Sequence, residues 1–198
     1  TEGFVGNYGR ECYSCKETGL SWIWDRNCKK QNCMARIFIA IRLTEQFKQP
    51  LLDAQARLKE LGVDGFYASK ENLHLTLSFI GETDKVSIIK QAISEIEFEP
   101  FSIKTSQVGC FNSDRAKVLW MGVEESEQLQ CLADKVRQKL TEYCIEFDQK
   151  PFKAHITLAS RPSRFITEIE IPHSQMTVEK VSVMETVSMN GKPVFIER

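Results

Sequence analysis

A single shift of 81 positions lays one half of this 198-residue chain on the other. Residues 37–42 then fall on 118–123, apolar on apolar until Ile41 meets Gly122 and Arg42 meets Val123. Leu51 falls on Leu132 and Phe66 on Phe147, and the tetrapeptide His74-Leu75-Thr76-Leu77 falls on His155-Ile156-Thr157-Leu158. The match is incomplete, since Leu58 and Leu61 meet Lys139 and Glu142. One ungapped offset that aligns a strand, a helix face, a lone Phe and a tetrapeptide points to a duplicated unit. The inference is two similar α+β lobes related by a pseudo-twofold axis, which would set the two tetrapeptides opposite each other.

Local patterning supplies the elements of each lobe. Residues 36–42, rich in Ile and Phe, read as a strand. Thr44 is placed to cap a helix carrying Phe47, Leu51, Leu52, Leu58 and Leu61, stopped by Gly62. A short strand at 66–68 precedes a strand over 73–80 that closes at Gly81. Thr83 is expected to cap a helix with Val86, Ile89, Ile93 and Ile96 at helical spacing, ended before Pro100. The second half repeats the plan, with a strand at 117–123 and a helix from Ser126 carrying Leu129, Leu132, Val136 and Leu140. A further strand follows at 152–159, then one long strand or two over 176–188. Asn190-Gly191 predicts a tight turn, with 194–196 pairing back as a hairpin.

Within this frame two of the three histidines begin His-x-Thr-Leu, a coincidence that shuffling would produce about once in 10⁵ trials. Side chains alternate along a strand, so His74 and Thr76 share one face while Leu75 and Leu77 enter the core. His155 and Thr157 do the same against Ile156 and Leu158. Two imidazoles facing across a gap suit in-line displacement at phosphorus, which needs a base on the attacking side and an acid on the leaving side. The threonine hydroxyls can take the non-bridging phosphate oxygens. The pair lacks the His, Asp and Glu cluster of a metallophosphatase, so no catalytic cofactor is expected. The competing reading, strand histidines flanked by Thr because Thr favours strands, holds for either motif alone better than for two in register.

At these residues the sequence resembles the two-histidine phosphoesterase superfamily, and within it the RNA 2′,3′-cyclic phosphodiesterases, also called 2′,5′-RNA ligases. The matching stretches are 36–41, 71–81, 118–123 and 152–158. The resemblance covers 34–198 and implies a bilobal α+β fold, with antiparallel sheets lining a central cleft, helices outside and the four motif residues on the cleft floor. It implies hydrolysis of a 2′,3′-cyclic phosphate to a 2′-phosphate, with reversible 2′,5′ ligation in some members. Carried over, His155 activates water, His74 protonates the departing O3′, and Thr76 and Thr157 grip the phosphate; the pseudo-symmetry leaves the two roles open to exchange. The sequence departs from the family where Ser160 stands at the position of its usual Arg and Arg161 follows one step later. One step along a strand flips the face. Thr186 and the pair Val194, Phe195 stand where relatives often carry Ser and Tyr. Arg161 and Lys153, two residues before His155, are the candidate substrate-binding cations.

Residues 1–33 form a separate Cys-rich extension. Cys12, Cys15, Cys28 and Cys33 approach a four-thiolate zinc spacing, with a last gap of four that is looser than usual. A leader, a disordered tail and adventitious disulfides are the competing readings. If the segment folds, Trp22, Trp24, Lys29 and Lys30 would suit contact with an RNA end. Cys110 and Cys144 are expected as small buried apolar residues, and His173 as an exposed, non-catalytic one.

Composition narrows the partners. A formal net charge of −1 argues against a broad surface for duplex DNA, and no apolar run is long enough to span a bilayer. With no signal peptide visible and an odd number of scattered cysteines, the cytoplasm is the expected compartment. The expected ligands are RNA ends or cyclic nucleotides; oligomeric state is open. Cleavage of 2′,5′-linked oligoadenylates or signalling nucleotides is the alternative activity, and a nucleotide- or RNA-binding module without turnover is the non-enzymatic one.

Overall fold

Two antiparallel sheets carry the molecule. In the computed structural model, which describes residues 34–113 and 117–198, the strands are β1 (Ala35–Arg42), β2 (Phe66–Tyr67), β3 (His74–Thr83), β4 (Phe101–Asn112), β5 (Lys117–Val123), β6 (His155–Ser160), β7 (Gln175–Val178), β8 (Ser182–Met189) and β9 (Lys192–Glu197). The helices are α1 (Glu45–Glu60), α2 (Val86–Ser94) and α3 (Glu127–Glu142). One sheet has the order β3-β1-β8-β9 and the other β2-β6-β5-β4-β7. Their central triplets, β3-β1-β8 and β6-β5-β4, repeat one another in order and direction, as the 81-residue offset requires.

The helices are exchanged between the sheets. α1 follows β1 of the four-stranded sheet but packs on β6 of the five-stranded one, and α3 follows β5 but packs on β3. Each is started by a hydroxyl: Thr44 Oγ1 accepts from the Phe47 N–H and Ser126 Oγ from the Leu129 N–H. Phe47, Leu51 and Leu58 of α1 and Leu129, Leu132, Val136 and Leu140 of α3 are fully buried, each contributing about 1.5–3 kcal/mol by leaving water. Pro50 lies inside α1, where it cannot donate to the Gln46 carbonyl; the Ser174 hydroxyl donates there instead, at 3.4 Å.

Several elements differ from their sequence-based boundaries. β3 does not close at Gly81 but runs through it, with Gly81 at φ +93°. Thr83 does not cap α2; its hydroxyl accepts the Lys85 N–H and the helix starts at Val86. β6 starts at His155, not at residue 152. The stretch expected as one or two strands is two, and they belong to different sheets. β4, twelve residues long, is an element the periodicity did not show. The Asn190-Gly191 hairpin is present, both residues in the left-handed region. Cys144 is exposed at φ +52° and Cys110 is half-buried, so neither is the fully buried apolar residue expected. The zinc expectation at Cys12, Cys15, Cys28 and Cys33 lies outside the described residues. Among the described residues no helix is long and apolar enough to cross a membrane, and no three His, Cys, Asp or Glu side chains gather where a metal ion could sit.

Candidate active site

Both His-x-Thr-Leu tetrapeptides open a strand, and both contain a β-bulge at the same residue. Thr76 lies opposite Ala40 and Ser78 opposite Ile39, which leaves Leu77 without a partner. Thr157 lies opposite Trp120 and Ala159 opposite Leu119, which leaves Leu158 without one. In each motif the His and Thr are half-buried while the residues between and after them are buried, so each His and Thr pair lines the open face of its sheet. A bulge shifts the phase of alternation. After Leu158, Ala159 is buried and Ser160 returns to the open face.

Each imidazole is fixed by the same device. His74 Nδ1 lies 2.6 Å from the Asn72 carbonyl oxygen and His155 Nδ1 lies 2.7 Å from that of Lys153. A carbonyl oxygen only accepts, so Nδ1 carries hydrogen in both rings and Nε2 is left for chemistry: a lone pair when neutral, a donor when protonated. Each ring also rests against two aromatic ones. His74 lies 4.8 Å from Phe38 and 5.0 Å from Phe195, and His155 lies 5.0 Å from Phe111 and 6.2 Å from Trp120, centroid to centroid. This burial pushes both imidazoles below their ordinary pKa. The carbonyl bonds oppose the shift, and neighbouring cations add to it: His155 for His74, and Lys153 for His155.

The site residues expected from sequence divide into those brought together and those displaced. His74 and Thr157, from different sheets, line one cavity of about 720 Å³ with Asn72, Ser160, Lys192 and Phe195. Lys153 stands beside His155, its Nζ 5.1 Å from the Phe111 ring and 4.7 Å from that of Trp120. Arg161 does not follow the strand. It turns to φ +50°, its N–H donates to the Lys117 carbonyl, and its guanidinium lies 5.9 Å from the Phe66 ring. His173 is exposed, with Nδ1 2.8 Å from the Thr105 carbonyl.

Sequence reasoning missed the aromatic partners and one buried amide. Gln55, on α1 and only 5% exposed, donates to the Leu158 carbonyl at 2.9 Å and the Ala68 carbonyl at 2.8 Å. The Ala68 N–H donates to the same Leu158 oxygen. The bulge carbonyl beside Thr157 is thus held from two directions. A Gln within the apolar face of α1 was the available signal, since a buried amide needs partners.

Twin strands, each presenting an oriented imidazole and a hydroxyl on the open face of its sheet, define a two-histidine phosphoesterase type of site. The signature of the 2′-5′ RNA ligase superfamily matches residues 42–188, and the chain belongs to that superfamily. It is 39% identical over 128 residues to an RNA 2′,3′-cyclic phosphodiesterase of Archaeoglobus fulgidus, covering 62% of this chain and 70% of the relative. An enzyme of the same name from Thermotoga maritima is 28% identical over 176 residues, covering 81% and 91%. Among solved structures, E. coli LigT complexed with 3′-AMP has the same fold, with a TM-score of 0.72 at 23% identity over 83% of this chain and 95% of that one.

Proposed function

We propose that the domain over 34–198 hydrolyses the 2′,3′-cyclic phosphate ends of RNA or nucleotides to 2′-phosphates without a metal ion, and that it supports reversible 2′,5′ joining, in which a 5′-hydroxyl attacks the cyclic phosphate in place of water. Its relatives are named RNA 2′,3′-cyclic phosphodiesterases, and LigT, of like fold, has been solved with 3′-AMP. The observation that carries the reading is the matched fixing of two imidazoles by backbone carbonyls, which turns both Nε2 atoms into working groups.

In this mechanism His155 Nε2 takes a proton from water as its oxygen attacks phosphorus, and His74 Nε2, protonated, gives its proton to the departing O3′. Lys153 favours this assignment, because its charge beside His155 opposes protonation there. Burial alone would leave both rings neutral; the phosphate anion, once bound, favours a proton on His74. The hydroxyls of Thr76 and Thr157 donate to the non-bridging oxygens, where negative charge builds up. Lys153 contributes to phosphate attraction, and the Arg161 guanidinium adds positive charge at the edge of the site.

The test is product analysis on an oligonucleotide ending in a 2′,3′-cyclic phosphate, with 2′,5′-linked oligoadenylate and a binding-only measurement as the other arms. His74→Ala and His155→Ala should each lose at least about a hundredfold in rate, the usual scale of acid–base catalysis. Turnover of the cyclic end unaffected by either substitution would refute the reading.

A further inference from the structure

The cavity that contains His74 and Thr157 extends beyond the groups needed for a phosphate. Gly65, Phe66 and Tyr67 form one wall and Lys192, Pro193 and Phe195 the other. Its volume, about 720 Å³, lies within the range of small-molecule sites, roughly 300–1,000 Å³. The second wall is set by Asn72, whose amide donates to the Pro193 carbonyl at 2.7 Å and accepts the Phe195 N–H at 3.2 Å.

Phe66 is the anomaly in this cavity. It is paired to β6 opposite Ser160, yet it is 69% exposed, while the neighbouring Tyr67 is tied down by its hydroxyl on the Val63 carbonyl and by Lys59 over its ring. The contact recorded for the Phe66 ring is the Arg161 guanidinium, which the left-handed turn at Arg161 brings there. An aromatic ring held on a strand, flanked by a cation and lining a cavity that reaches phosphate-binding groups, has the attributes of a base-stacking platform. Charge selects this side of the site. A second cavity, of about 710 Å³ beside Trp120 and Lys153, is lined by Glu124, Glu125 and Glu127, which repel phosphates. The cavity at Phe66 has Lys192 in its lining and no carboxylate.

We infer that this cavity is the subsite for the terminal nucleoside of the substrate, with its base stacked on Phe66 and Lys192 serving the phosphate on its 5′ side. The inference rests on the proposed function and adds the residues that read the nucleoside.

Two substrates separate the base from the phosphate: a nucleoside 2′,3′-cyclic phosphate, and 1-O-methylribose 2′,3′-cyclic phosphate, which has no base. Phe66→Ala should raise KM for the nucleotide about tenfold, with kcat within about threefold, and leave the base-free sugar unchanged; Phe66→Trp should keep wild-type KM. Lys192→Ala should raise KM for an oligonucleotide end and not for the cyclic mononucleotide. Calorimetric binding of 2′-AMP to wild type and Phe66→Ala reads the same platform without turnover. Weaker 2′-AMP binding to the variant in a protein that turned over neither substrate would sustain the subsite and sink the chemistry. Equal losses on both substrates, an unchanged KM for the nucleotide, or no 2′-AMP binding to wild type would overturn the inference.

Discussion

The His74 half and the His155 half share a plan and differ in what supports it. In both, a histidine opens the strand, a backbone carbonyl takes its Nδ1–H, two aromatic rings flank it, and the motif leucine is a bulge. Yet Arg42 lies opposite His74 where Gly122 lies opposite His155, and Ala40 opposite Thr76 where Trp120 lies opposite Thr157. Gln55 secures the second bulge from α1, while Val136, at the equivalent place on α3 by the 81-residue offset, is apolar and buried. The two copies thus repeat the geometry of the motif and differ in its surroundings. In the proposed mechanism one further difference, Lys153 beside His155 where the 81-residue offset puts Asn72 beside His74, assigns His155 to attack and His74 to departure.

The comparison is most easily broken at Gly109. Its position opposite Trp120 lets the indole lie across it, and an added Cβ would fall 2.2 Å from that ring. Gly109→Ala should therefore displace Trp120 from beside His155. We expect a loss of stability of about 1–3 kcal/mol from overpacking and at least about a tenfold fall in kcat/KM, read by denaturant melts and kinetics. A variant with wild-type kinetics would show that the indole does not position His155.

A smaller effect should separate the two helices. Gln55→Leu strands the Ala68 carbonyl and frees the bulge beside Thr157, at a cost of about 1–3 kcal/mol. It should also raise KM, because Thr157 loses its support. Val136→Ala, its counterpart, should lose about 2 kcal/mol through a cavity with KM unchanged. Equal kinetic effects from the two would erase the distinction.

The smallest expected effect lies in the pH dependence of stability. Both imidazoles have folded pKa values below their ordinary 6.5, so the unfolded chain binds more protons below that pH. Their contribution is complete above about pH 6.5 and is lost as pH falls toward the folded values. Thermal melts between pH 7 and 5 should show this slope, and His74→Gln and His155→Gln should each flatten it. The slope removed should be shared by the two halves; a slope that depends on one histidine alone would mean that only one ring is held neutral by burial.

How much of this was legible in the sequence follows from what sequence can encode. Strand and helix cores with continuous periodicity were readable, as were Thr44 as a cap, Ser126 as the start of a helix and the Asn190-Gly191 turn. β4 escaped because its pairing with β5 breaks register between Thr105 and Val108: Ile103 and Thr105 are buried on one phase, Val108 on the other, and no unbroken alternation survives. The motif residues were legible because the chemistry needs side chains at fixed local spacing. Their aromatic flanks were not, since Phe38, Phe111 and Phe195 reach the histidines across strands far away in sequence. The bulge at Leu158 puts Ser160 in the cavity lining beside His74, where strict alternation from His155 would have placed Arg161.

Most direct for the central claim, that the two rings are an acid and a base with distinct jobs, is single-turnover cleavage of a cyclic substrate with sulfur in place of the 3′ bridging oxygen. A thiolate leaves without needing a proton. His74→Ala should regain most of its loss on this substrate, to within about tenfold of wild type, while His155→Ala should remain at least about a hundredfold slow. Rescue of His155→Ala in place of His74→Ala, or of neither variant, would contradict the account.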